Sequence, residues 1–196
     1  MKIAFWSNAH EQSNVSLNLT AVSVASVIRY PYTIAVLENH LRRNNLGGAY
    51  LGTNKSIFFR EIGTNYYEGG GMEGLLRRIY RGNHESIILK PYLREIIQRH
   101  LYYLPQSGII NSELFDYEFD HNAAMLFDKL EEAFDICYID MAPCNNLSSK
   151  TILEEADLIV VNLSQNFRLL ENFFQSYSSL IAKSVFIIIQ QEDSNF

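Results

Sequence analysis

The chain has 196 residues, 47% hydrophobic and 19% charged, which suffices for one domain, spanning residues 1–196, with its own core. A net charge of −6 excludes a general nucleic-acid binder and gives no support to DNA or membrane contact beyond a local basic face. The two cysteines, Cys137 and Cys144, lack CxxC spacing; this excludes a disulfide scaffold and reads as free thiols in a reducing compartment.

In chain order, residues 2–6 ("KIAFW") read as a short buried strand and residues 7–14 as a polar loop. Residues 15–29 read as a helix, apolar nearly all round, that Tyr30-Pro31 stops. It carries Ser16, Asn18, Thr20, Ser23 and Ser26 and is too short to span a bilayer. The initial apolar run breaks at Ser7 and Asn8, so no secretory leader is read and a cytoplasmic protein is expected. A second strand, 33–38, leads into a long irregular connection, 46–72. Helical patterns follow at 72–81 and 86–99, then a strand at 101–105. The acid- and aromatic-rich run 113–122 reads as a surface helix start, continued by a helix at 121–133. The rest alternates: strand 135–140, helix 148–155, strand 157–163, helix 166–182, strand 184–189. This predicts an α/β fold: a doubly wound, mostly parallel sheet with helices on both faces. The sequence ends seven residues after its last strand without a closing helix, which reads as a truncated domain.

Such sheets bind ligands at the carboxyl ends of their strands. The phosphate-loop pattern G-x-x-x-x-G-K-[ST], laid on residues 9–16, reads Ala-His-Glu-Gln-Ser-Asn-Val-Ser, and only Ser16 fits. Ser16 can still offer a hydroxyl to Mg²⁺, and Asn14 tolerates positive φ. The backbone N–H groups of Ser13, Asn14, Val15, Ser16 and Leu17 open a helix and would point at an anion. The lysine charge on the β- and γ-phosphates is lost, and Val15 cannot replace it. Taken alone, this stretch is an ordinary strand-to-helix turn. Two acids change the balance. Asp140 closes "FDICYIDMAP" where an acid would hold Mg²⁺ through water, and Glu38, followed by His40, ends the second strand at the same edge. A rival loop, "GGGMEG" at 69–74, follows no apolar strand and reads as a flexible turn. The basic stretch containing Arg77, Arg78, Arg81, Lys90, Arg94 and Arg99 reads as a solvated helix face before a partner surface. The histidines show no metal-ligand spacing.

With "FDICYIDMAP" and "EEADLIVVNLSQN" added to the opening strand–loop–helix, the chain resembles the ParA/MinD family of deviant P-loop ATPases, including TadZ/CpaE-like pilus-assembly members. The resemblance spans the chain at the level of pattern. It implies ATP and Mg²⁺ as ligands, a face-to-face homodimer with nucleotide at the interface, and a role in spatial positioning or assembly with a protein partner or cargo. His10 stands where the signature lysine is expected, Glu11 and Gln12 where glycines are, and Val15 where the second lysine is. Ser16 and Asp140 match the Mg²⁺-holding positions. Glu38 and His40 replace the two switch-region aspartates, which makes Glu38 and Asp140 the candidate catalytic acids. Gln190 or Gln191 falls near the adenine contact. The signature lysine reaches across the dimer to the partner's phosphate, so its loss implies an ATPase that is slow or silent. The alternative is a pseudo-ATPase scaffold that binds no nucleotide. A receiver-like domain or other small α/β enzyme using Asp140 with Glu38 is more remote, because receivers need an acidic pair after the first strand.

Overall fold

Each apolar run becomes a strand of one sheet. A computed structural model describes residues 1–9, 14–39, 46–51, 70–82, 87–106, 112–141 and 146–189. Among them the strands are β1 (Lys2–Trp6), β2 (Ile34–Asn39), β3 (Arg94–Ile97), β4 (Leu101–Leu104), β5 (Ile136–Met141), β6 (Leu158–Ser164) and β7 (Ser184–Ile189). The helices are α1 (Val15–Arg29), α2 (Leu46–Leu51), α3 (Gly71–Tyr80), α4 (Ser112–Ala133), α5 (Leu147–Glu155) and α6 (Phe167–Ser176). The sheet order is β3-β4-β2-β5-β1-β6-β7, and only the β3–β4 pairing is antiparallel.

Strand alternation divides the core into two layers. Ala4, Trp6, Ala35 and Leu37 face α3, α4, α5 and α6, which contribute Leu75, Phe119, Ile152 and Phe173. Ile3, Phe5, Ile34 and Val36 face α1 and α2, which contribute Val15, Leu19 and Leu46. This is the doubly wound, mostly parallel class expected, with helices on both faces. β1 lies inside the sheet between β5 and β6, every residue buried, so the loop that follows it opens at the carboxyl edge.

Several local expectations are corrected. The helix expected over 86–99 is not formed among the described residues 87–99: a 3₁₀ turn, Lys90–Tyr92, is followed by the edge strand β3. Pro91 lacks the N–H that a continuing helix needs, and Ile96 and Ile97 favour the extended chain that follows. α1 is not buried all round. Only Val15, Leu19 and Ser23 are buried, while Leu17 is 63% and Ile28 78% exposed, so the helix lays one stripe on the sheet. The run 113–122 is no mere surface start, since Phe115 and Phe119 are buried in α4. The long connection is partly helical, with α2 at its start.

The glycine-rich run has a packing role at Gly71. Its φ is +69°, and a Cβ there would stand 2.4 Å from the Pro105 carbonyl oxygen. Met72 N–H donates to that same oxygen at 2.8 Å, which seats α3 against the end of β4. Cys137 is a buried free thiol, pushed up to about 12 chiefly by burial; Cys144 lies outside the described residues. Among the described residues no helix is long and apolar enough to cross a membrane.

Candidate functional site

Glu38, Asn39, Asp140 and Ser164, all buried, lie at the carboxyl ends of their strands. Glu38 and Asp140 are register partners on β2 and β5, and Phe5 of β1 pairs with Asp140 on its other side. Alternation puts both acids on the α1/α2 face, two residues beyond Val36 and Tyr138. Both are 1% exposed. Strand spacing sets their backbones about 5 Å apart, so two acids share one desolvated corner.

α1 supplies the opposite wall. Asn14, its N-cap, has φ +45°, the left-handed conformation that asparagine tolerates, and its side chain does not cap the helix. No acidic residue lies in the first turn of α1. In the first turn, Ser16 Oγ donates to Asp140 Oδ2 at 2.6 Å, which ties the helix start to the end of β5. Val15 is 8% exposed and packs in the cluster with Phe5 and Leu19. Leu17 points out to solvent. The loop leaving β1 is fixed at its start: Ser7 Oγ accepts the Ala9 N–H at 3.0 Å, and Asn8 Nδ2 donates to the Leu169 carbonyl at 2.8 Å. His10, Glu11, Gln12, Ser13, His40, Gln190 and Gln191 lie outside the described residues.

Glu38 has described partners of its own. The Tyr103 hydroxyl donates to its Oε1, the Gln106 N–H donates to the same oxygen at 3.3 Å, and the Leu46 N–H donates to Oε2 at 3.0 Å. One carboxyl thus holds the start of α2 and the end of β4. Burial, and next the Glu38 charge, push the Tyr103 phenol far up, so it remains an O–H donor. Tyr50 is pushed up to about 12, by burial first, with Asp140 and Glu38 adding to the rise; its hydroxyl lies 2.8 Å from Ser23 Oγ.

The backbone of this chain superposes on that of a ParA family ATPase from Chlorobium tepidum TLS with a TM-score of 0.70, at 12% identity over 99% of this chain and 75% of that one. A plasmid partition protein from Borrelia burgdorferi gives 0.65 at 13% identity, over 99% and 80% of the two chains. The septum site-determining protein MinD from Pyrococcus horikoshii OT3, complexed with Mg-ADP, gives 0.60 at 12% identity, over 100% and 71%. The chain has the ParA/MinD fold. No protein-family model and no curated protein sequence matches it.

Within the ParA/MinD fold, the donors at the carboxyl edge can be tested against Mg²⁺. Ser16 Oγ and the Asp140 carboxyl are hard oxygens at hydrogen-bond distance. No group of three His, Cys, Asp or Glu among the described residues makes a cage for a metal. A serine hydroxyl and one carboxyl are donors of the kind that Mg²⁺ takes when water and phosphate complete its shell. Two polar ties escaped the sequence reading. Asn18 Nδ2 donates to Asn162 Oδ1 at 2.5 Å, pinning the first turns of α1 to β6. Asn39 Nδ2 donates to Ser148 Oγ at 3.0 Å, and Ser148 donates onward to Asp116 Oδ1 at 2.5 Å, locking the end of β2 to α5 and α4. The only signal for the first is an asparagine inside each of two apolar segments.

Proposed function

We propose that this chain is a nucleotide-binding positioning or assembly factor of ParA/MinD type, whose ATPase is slow or silent. The observation that carries this reading is the Ser16–Asp140 hydrogen bond at the carboxyl edge beside the central strand. Ser16 and Asp140 would hold Mg²⁺, directly or through water, and the backbone N–H groups at the start of α1 would face the phosphates. Bound Mg²⁺ neutralises charge on the phosphate oxygens. Glu38 keeps α2 and the end of β4 in place around them through Tyr103, Leu46 and Gln106. The similarity to a MinD protein that carries Mg-ADP supports the same ligand class here. Two copies would then meet across this edge, with nucleotide between them and a protein partner or cargo beyond. The net charge of −6 supports neither DNA nor membrane as that cargo.

Slow turnover follows from the missing cations. Loss of a positioned cation from a phosphoryl-transfer site costs on the order of 10³-fold in rate or more. One observation favours a second reading, a scaffold that binds no nucleotide: Val15 gives its side chain to the core where a lysine would reach phosphate. Calorimetry of the full chain with MgATP and MgADP separates the two. A dissociation constant below about 1 mM supports the nucleotide reading, and absence of heat supports the scaffold.

A further inference from the structure

At the opposite, amino edge of the sheet lies a cavity of about 800 Å³, between the β3–β4 hairpin and the end of α4. That volume lies in the range of small-molecule sites, about 300–1,000 Å³. Its apolar lining includes the buried Leu89, Leu93 and Phe134, with Tyr102 standing 5.4 Å from Phe134, ring centre to ring centre.

Five charged residues line the same cavity; two of them form an ion pair, and a third, Glu95, is hydrogen-bonded but keeps its charge. Lys129 Nζ pairs with Glu132 Oε2 at 2.7 Å. Glu95 Oε1 accepts the Tyr102 hydroxyl at 3.2 Å and the backbone N–H of Arg99 at 2.7 Å. The other two are Lys90 and Arg99, whose side chains make no hydrogen bond or ion pair among the described residues. Both are exposed at the rim. Arg99 is also held with φ +64°, a conformation that costs a bulky residue free energy. The bond from its own N–H to Glu95 and that from His100 N–H to Ile97 O, at 3.0 Å, keep it there. An arginine thus occupies a turn position that glycine or asparagine would fill more easily.

We propose that this cavity binds a small anionic amphiphile, its apolar body on Leu89, Leu93, Tyr102 and Phe134 and its carboxylate-class head between Lys90 and Arg99. Arginine and lysine together suit such a head, one by its planar fork and the other as a point charge. The site is remote from Ser16 and Asp140, and the proposal does not rest on the nucleotide reading.

The test uses 2-naphthoate and its neutral analogue 2-naphthamide, titrated into the full chain and followed by amide ¹H–¹⁵N correlation spectra. The expected shifts centre on residues 87–102 and 129–134, with a dissociation constant below about 1 mM for the acid and binding at least about tenfold weaker for the amide. Lys90→Ala with Arg99→Ala should cost the acid about tenfold or more, and Lys90→Arg with Arg99→Ala should restore part of it. The comparison of acid with amide needs no variant, so it stands even if the double substitution disturbs the hairpin. The proposal is overturned if neither probe binds, if acid and amide bind equally, if the folded double variant binds as wild type does, or if the shifts map instead to the exposed apolar residues Phe174, Val185 and Ile188.

Discussion

Gly71→Ala tests how the glycine-rich run works. The native φ of +69° costs a residue with a Cβ about 1–2 kcal/mol. The new Cβ would stand 2.4 Å from the Pro105 carbonyl oxygen, a backbone atom that cannot swing aside. Moving it stretches the 2.8 Å bond from Met72 N–H, at a further cost of about 1 kcal/mol. The sum is about 2–3 kcal/mol or more, and at about 2–4 °C per kcal/mol for a chain of this size the melting temperature should fall by about 4–12 °C. Trp6 reports the transition: it is the sole tryptophan, it is buried, and its ring lies 4.8 Å from that of Tyr177. Gly70→Ala is the control, because no atom lies within 4 Å of its new Cβ; as an N-cap change it should cost about 1 kcal/mol at most. If Gly71→Ala melts with wild type, the packing argument is refuted. A run that cradled phosphate would instead keep its melting temperature and lose binding.

Other outcomes follow from the same geometry. Tyr103→Phe removes a donor from the buried Glu38 carboxyl and should cost about 1–3 kcal/mol in urea unfolding; an unchanged midpoint would mean that Glu38 does not depend on it. Glu131 is held below its ordinary value of 4.5, first by the Lys2 hydrogen bond and then by the N-terminal ammonium. Its contribution is full above that value and is lost as pH falls through the lowered one, so wild type should lose stability below about pH 4.5 more steeply than Glu131→Gln. Parallel acid melting curves would contradict this. Steady-state ATP hydrolysis, read as phosphate release, should stay below about 1 s⁻¹, and a faster rate would show that the missing lysines are replaced.

The strands buried on both faces were legible because their sequences are nearly pure apolar runs: "KIAFW", "ICYIDM" and "LIVVNL" leave little choice of structure. β3 was not, because Arg94 and Glu95 sit on an exposed edge and give no apolar run, while the spacing around them mimics a helix. α1 misled in another way. Its composition is apolar nearly all round, but burial depends on which neighbours arrive, and Leu17 and Ile28 stay largely exposed. At the site, Ser16 and Asp140 could be paired in advance, since a strand–loop–helix and an acid-tipped strand have fixed places in this kind of sheet. The Glu38–Tyr103 and Asn18–Asn162 ties could not, because they join positions 65 and 144 residues apart with no motif to connect them.

The central claim is that Ser16 and Asp140 form a Mg²⁺-nucleotide site. It is tested most directly by titrating ATP, with and without Mg²⁺, into wild type and Asp140→Asn by calorimetry, with buried Trp6 emission confirming that both are folded. Wild type should bind ATP with a dissociation constant below about 1 mM and more tightly with Mg²⁺, and the variant should show no difference between the two conditions. No heat from wild type in either condition, or an equal Mg²⁺ dependence in the variant, would contradict it.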